Sequence, residues 1–386
     1  MKIAIPRERR PHERRVAVTA DTIKKFKAFG FDVVVETDAG FGAAIPDQAF
    51  VEAGATIGAD AAETLRDADL VLKVQRPLRA GEGDIDELAL IKRGAILVGI
   101  LAPYGDPETV KAYADAGITA VAMEFMPRIT RAQSMDVLSS QSNLAGYRAV
   151  LDAAVEFGRA FPMMMTAAGT VSPARVFVMG VGVAGLQAIA TAKRLGAIVS
   201  ATDVRPAVKE QVHSLGGTFV AVEDEEFKQA ETAGGYAKEM SAAYRAKQAE
   251  LVAETIKKQD IIITTALIPG RKAPVLVTDA MIATMKPGSV LVDLAVEQGG
   301  NIEGSVPGEV VLRHGAKIVG PLNIASSIAV SASNLYARNL LNFLTPLVDK
   351  DSHSLKLNFD DEILKATVLT RDGGVVHPAF AAAAGE

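Results

Sequence analysis

Short β-branched runs alternate with helix-period patterns along nearly the whole chain, the signature of an α/β architecture built on parallel strands. Two series are visible. The first predicts strands over residues 2–5, 33–36, 70–74, 96–101 and 118–123, with helices between them. One such helix covers 21–29, with Asp21 as its N-cap and Gly30 as its stop. The second series predicts strands over 176–179, 197–203, 218–222, 261–265, 290–294 and 317–319. Between the two lies 139–157, helix-spaced and free of Gly and Pro except for Gly146, which predicts one long helix joining two domains. A second apolar helix is expected over 328–344, ahead of an irregular C-terminal tail. Sequential domains are the simple reading; return of that late helix to the first domain is the alternative. The segment 223–250 breaks the alternation, being polar and charged with Gly234, Gly235 and Tyr236 near its middle. Pattern alone supports a functional lid and a solvated helical excursion equally.

A length of 386 residues suits two domains, and 49% apolar with 23% charged residues excludes disorder as the main state. The net charge of −5 and the lack of Lys/Arg blocks argue against a nucleic-acid partner and against a polybasic membrane anchor. The absence of cysteine removes disulfides, thiolate zinc sites, thiol nucleophiles and iron–sulfur clusters, and fits a reducing compartment. No secretory signal is expected at the N-terminus. The uncharged stretches 176–192 and 318–337 read as a buried strand–turn–helix and a core helix, so no transmembrane segment is expected. His12, His213, His314, His353 and His377 are scattered, with no pair at metal-ligand spacing, and neither a nucleophile elbow nor a P-loop occurs.

The strongest local signal is Gly180-Val181-Gly182-Val183-Ala184-Gly185, which follows a β-branched run and opens a helix over 186–195. Gly180 makes the tight turn, Gly182 lets backbone approach a pyrophosphate, and Gly185 lets helix and strand pack closely. The phosphates then rest on amides at a helix N-terminus. The next predicted strand ends in Asp203, 18 residues after Gly185 and close to the spacing expected of a ribose-binding acid. A carboxylate there accepts from both ribose hydroxyls and repels a 2′-phosphate, which favours NAD(H); Arg205 is a counter-signal, since an Arg can accommodate that phosphate. Residues 40–45 hold two glycines and lack the third, so one cofactor site per chain is expected. The stretch 126–136 packs Arg128, Arg131, Gln133, Ser134 and Asp136 into a short irregular segment ahead of the joining helix. It reads either as ligand groups lining a cleft or as a solvated loop with an Asp near a helix start. Lys73 interrupts an apolar strand, where it lines a cleft or snorkels.

Several motifs together carry a family resemblance: Ile3-Ala4-Ile5-Pro6-Arg7-Glu8, Glu13-Arg14-Arg15-Val16-Ala17-Val18, Lys73-Val74-Gln75-Arg76-Pro77, the stretch from Arg128 to Asp136 with Ser139 to Tyr147, the glycine fingerprint, Ala233 to Ala237, and Thr265 to Gly270. In this order they resemble the NAD(H)-binding components of proton-translocating nicotinamide nucleotide transhydrogenases, relatives of alanine dehydrogenase. The resemblance implies two Rossmann-like domains with parallel sheets joined by long helices. The first would be discontinuous, 1–137 with 322–386, and the second would span 138–321 with a mobile loop near 223–250. It implies that Arg128, Gln133, Asp136 and Ser139, with Ile129 and Thr130, place the nicotinamide ring and its ribose. Contacts to the rest of NAD(H) would come from Gly180, Val181, Gly182, Val183, Gly185, Asp203, Val204, Arg205, Gly235, Tyr236, Gln248, Ala266 and Leu267. It further implies hydride transfer to NADP(H) on a partner subunit, coupled to proton movement. The chain would act as a homodimer on the cytoplasmic face of a bacterial inner membrane, with membrane-embedded partner subunits.

The alternative is an alanine dehydrogenase. That reaction must move protons from an amine and from water, so it needs an acid–base group. The family pattern for it pairs an Arg, a Lys, an Asp and a His. Arg15, Lys73 and Asp293 match, but the His position falls at Ile100, which cannot shuttle protons. A non-enzymatic NAD(H) sensor is a third class, disfavoured because a sensor need not cradle the reactive ring.

Overall fold

A computed structural model of the chain describes residues 1–228, 240–268 and 270–381. It divides into two compact units, Met1–Gln141 with Ala325–Glu386, and Ser142–Ile324.

The strands of the first unit are short apolar runs, and Leu70–Gln75 is buried along almost its whole length, Lys73 included. Parallel neighbours run in the order Thr56–Gly58, Asp32–Glu36, Lys2–Ile5, Leu70–Gln75, Ile96–Ile100 and Thr119–Ala122. By chain position this is 3-2-1-4-5-6, the winding that reverses at its first strand and opens a crevice beyond the carboxyl ends of strands 1 and 4. The sheet is not parallel throughout. Val368–Arg371 adds antiparallel to Thr119–Ala122, and Gly374–Val375 pairs antiparallel beyond it. These strands come from the tail that pattern alone left irregular. Thr370 Oγ1 donates to Ile118 O at 2.9 Å and accepts from Ala120 N at 3.2 Å, so the tail gains its regularity from a distant partner. One face of the sheet buries Phe26, Phe31, Phe50, Tyr336 and Phe343; the other buries Leu65, Leu97, Tyr113 and Leu369.

The helix Ala20–Ala28 starts one residue earlier than the sequence suggested. Its N-cap is Thr19, in a capping box with Thr22, while Asp21 sits in the first turn, where a carboxylate favours the helix dipole. Gly30 follows at φ +82°, a left-handed position that suits glycine. The late helix is Ala329–Leu344, and its buried stripe of Ala332, Tyr336, Leu340 and Phe343 packs among the core residues of the first unit.

In the second unit the order is Thr218–Phe219, Ile198–Thr202, Arg175–Met179, Ile261–Thr264, Val290–Asp293 and Ala316–Val319, again 3-2-1-4-5-6. Here too the sheet is mixed, since Val310–Arg313 pairs antiparallel with the last of these. The chain passes from the first unit to the second within the helix Val137–Glu156. Gly146, its one glycine, has the Ala184 carbonyl oxygen 2.0 Å from where a Cβ would stand, so two backbones meet there without a side chain between them. A hairpin unforeseen from sequence, Met164–Thr166 with Gly169–Val171, stands in solvent, with Met163 61% and Met165 81% exposed. Of the polar segment 223–250, the structure describes a short helix Glu225–Lys228 and the start of Ala242–Ile256.

Candidate functional site

The second unit builds its site at the switch point of its sheet. Val176, Phe177 and Val178 are fully buried and deliver the chain to Gly180. Gly180 adopts φ +97°, and a Cβ there would stand 2.6 Å from Thr265 Oγ1. The helix that follows is Val183–Arg194, beginning three residues before the expected start, with Gly182 as an N-cap that supplies no side-chain bond. Its first-turn amides therefore have no side-chain cap, which suits an anion. A Cβ on Gly185 would lie 1.9 Å from Gly180 O, so only glycine closes the turn. Nothing stands within 4 Å of where a Cβ on Gly182 would be. That open space beside bare amides is the cradle a pyrophosphate needs, and the residues present fit it.

Asp203 follows the neighbouring strand. Its carboxylate accepts from Val181 N at 2.7 Å and from Arg205 N at 2.9 Å, and the Arg205 guanidinium pairs with it through Nε and Nη2, each at 2.9 Å. Asp203 therefore fastens the glycine turn to the second strand's end. Val183, Val204, Leu267 and Ile268 are large apolar side chains left 38–47% exposed. Exposed apolar groups around an anion cradle can pack against a nucleobase. Gln248 ties two strand ends together, donating to Thr202 Oγ1 at 3.0 Å and accepting from Val222 N at 2.9 Å. Gly235 and Tyr236 lie outside the described residues.

Two buried residues behind the site have duties that local pattern does not reveal. Asn301, fully buried, grips Ala266 on both sides, accepting from its N at 3.0 Å and donating to its O at 2.9 Å. Asp293, also fully buried, accepts from the amides of Ala295, Asn301 and Ile302 at 3.0–3.1 Å. It organises the loop beyond its strand, a structural task. Asp293 stands out in the sequence only through its match to a dehydrogenase pattern, and Asn301 sits too far along the chain from Ala266 for any local pattern to link them.

The stretch 128–136 belongs to the first unit. Thr130–Met135 forms a 3-10 turn anchored by buried Ala132 and Met135. Arg128, Thr130 and Gln133 are exposed, and Ile129 is half-buried. Asp136 accepts from Ser139 N at 2.9 Å and from Ser139 Oγ at 2.5 Å, which closes the start of the long helix. Asn339 and Asn342 both donate to Ser134 O, so the turn is braced from the late helix. The loop thus presents an Arg and a Gln on a braced turn beside a helix-capping Asp–Ser pair.

The crevice of the first sheet is filled with charge. Lys73 Nζ lies 2.9 and 3.0 Å from the Glu87 carboxylate oxygens and 3.5 Å from Glu8, all nearly fully buried. Arg15 pairs with Glu13 through Nε and Nη2, at 2.8 and 2.6 Å, and donates to Gln141 at 2.8 Å. Arg9 pairs with Glu36. Burial pushes the Glu8 carboxyl up to about 7, against the pull of Lys73. Glu124 is likewise pushed up to about 7 by burial, although it accepts from the amides of Leu101 and Ala102. Lys73 and Arg15 are therefore satisfied by the chain's own carboxylates. Among the described residues no group of three His, Cys, Asp or Glu could hold a metal ion.

The family model for the alanine dehydrogenase/PNT N-terminal domain matches residues 4–145, and that for the C-terminal domain matches 149–378. The chain is 62% identical, over 98% of its length and 99% of the relative's, to the first part of NAD(P) transhydrogenase subunit alpha from Rhodospirillum rubrum. It is 32% identical over its full length, and 97% of the relative's, to alanine dehydrogenase of Halomonas elongata. A crystal structure of transhydrogenase from Sinorhizobium meliloti superposes with a TM-score of 0.87 at 57% identity, covering 97% of this chain and 100% of that one.

Proposed function

The chain belongs to the alanine dehydrogenase/PNT family, and from that premise we propose that it is the NAD(H)-binding subunit of a proton-translocating NAD(P) transhydrogenase. The observation that carries the reading is the glycine turn of the second unit, with open space over Gly182 and Asp203 fastened beside it. Bound NAD(H) supplies the hydride, exchanged with NADP(H) on a partner subunit. One nicotinamide carbon gives hydride to another, so no O–H or N–H has to be deprotonated, and the protein's work is to bind, orient and exclude water.

In this reading the 180–185 turn takes the pyrophosphate through Val181, Val183 and the glycines. Asp203 takes the adenosine ribose, while Val204, Ala266 and Leu267 line the nucleoside, with Gln248 holding the strand ends behind them. Arg128, Ile129, Thr130, Gln133, Asp136 and Ser139 orient the nicotinamide end. The active form is a homodimer, held by membrane-embedded partner subunits at the cytoplasmic face of the inner membrane. No helix among the described residues is long and apolar enough to cross a membrane.

Alanine dehydrogenation is disfavoured, because Ile100 stands where a proton carrier is needed and Arg15 and Lys73 are already paired with Glu13 and Glu87. The decisive assay mixes the purified chain with its NADP(H)-binding partner and follows hydride exchange between NADPH and an NAD analogue. Exchange that slows in Gln133→Ala or Asp136→Ala more than NADH binding weakens is the expected result. Tight NADH binding with no exchange would leave a sensor; NADH formation from NAD and alanine would restore the dehydrogenase.

A further inference from the structure

The carboxylate of Asp203 is saturated by donors of its own chain. Oδ1 accepts from Arg205 N and Arg205 Nε, and Oδ2 accepts from Val181 N and Arg205 Nη2, all at 2.7–2.9 Å. An ionised carboxylate offers about four lone-pair positions, so a ribose that needs two of them has to displace two donors. The four donors are not equally displaceable. Val181 N and Arg205 N are backbone groups fixed by the glycine turn and the strand end. The other two belong to one side chain, and that side chain is 24% exposed while the Asp203 side chain is 6% exposed. A guanidinium presents parallel N–H donors on one planar edge. A vicinal ribose diol presents two O–H donors in much the same way.

We propose that Arg205 is a displaceable stand-in for the adenosine ribose and a determinant of nucleotide specificity. The inference rests on the dinucleotide reading above and adds a second player to the role of Asp203. The guanidinium fork holds the carboxylate in the nucleotide-free chain and yields it to the 2′ and 3′ hydroxyls, while the two backbone donors keep the carboxylate aimed. Each binding event then exchanges one bidentate contact for another, which tempers affinity and suits a subunit that must release its nucleotide in every cycle. The displaced guanidinium stays within reach of the 2′ position, where it matches a phosphate. Arg205 therefore narrows the preference for the unphosphorylated nucleotide that Asp203 creates.

The test uses neutral adenosine, so that the charge on Arg205 does not act through ligand phosphates, with adenosine 2′-monophosphate as the contrasting probe. Each competes against NADH bound to the full chain, read by nucleotide fluorescence; the chain has no tryptophan to interfere. In Arg205→Ala, adenosine should bind about fivefold tighter than in the wild type, the size of a partly exposed ion pair removed from competition. Adenosine 2′-monophosphate should lose about tenfold relative to adenosine. Arg205→Met, which keeps the stem and removes the fork, should behave alike and serves if the alanine variant folds poorly. Adenosine affinity that stays level or falls in both variants overturns the stand-in. A wild-type chain that binds no NADH overturns the dinucleotide reading along with it, whereas NADH binding with adenosine indifferent to Arg205 overturns this inference alone.

Discussion

Beyond Arg175–Met179 the second sheet's crevice is emptied by glycine, whereas beyond Lys2–Ile5 and Leu70–Gln75 the first sheet's crevice is filled by paired charges. Both sheets wind in the order 3-2-1-4-5-6, so topology places a crevice in each. What differs is who satisfies the polar groups around it. In the second unit, backbone amides at a helix start lack a side-chain cap and can receive an anion. In the first, Lys73, Arg15 and Arg9 are met by Glu87, Glu13 and Glu36 of the same chain. Equal folds therefore carry unequal chemistry, and side chains at the switch point decide which crevice binds.

The largest expected effect breaks the filled crevice. Lys73→Ala takes the nearer cation from the buried Glu87 carboxylate, leaving it only Arg9 Nη1 at 3.4 Å, and losing one partner of a buried pair costs about 3–5 kcal/mol. Urea unfolding should show that loss; one below about 1 kcal/mol would mean water reaches the pair. Next comes the pH dependence of the same unit. Glu124 ionises near 4.5 when unfolded and near 7 in the fold. Between those values the native state holds more protons, so stability falls as pH rises from 4.5 to 7 and then levels off. Roughly 3 kcal/mol of that fall should vanish in Glu124→Gln, and identical pH profiles for the two proteins would remove Glu124 from the account. The smallest effect concerns the empty crevice. Gly182→Ala adds a methyl group where nothing stands within 4 Å, so melting temperature should hold while NADH affinity drops by about tenfold, or ~1.4 kcal/mol. Unchanged affinity would move the pyrophosphate elsewhere.

Local chemistry made much of this legible. The fingerprint announces itself because the φ of +97° at Gly180 and the carbonyl of Gly180 against Gly185 are constraints set within a few residues. The strand Lys2–Ile5 was readable for the same reason. Lys73 stood out as an oddity in an apolar strand, but its partner Glu87 sits 14 residues on, on a separate short helix, and no spacing rule joins them. The clamp of Asn301 on Ala266 spans 35 residues, and the bond from Ala120 N to Thr370 spans 250. Such pairings depend on sheet order, which strand patterns leave open. The Asp136–Ser139 contact was foreseeable as a helix start, and the sequence could not separate that duty from ligand work because one carboxylate serves either.

The hairpin that opens at Met164 carries a chemical consequence. Met163, Met164 and Met165 lie in succession, each at least 42% open to solvent, and thioethers in the open convert to sulfoxides under mild peroxide. These three side by side make the strand its own gauge: the rate at which oxygen is added there, read by peptide mass, registers how much of that ribbon any neighbouring molecule conceals.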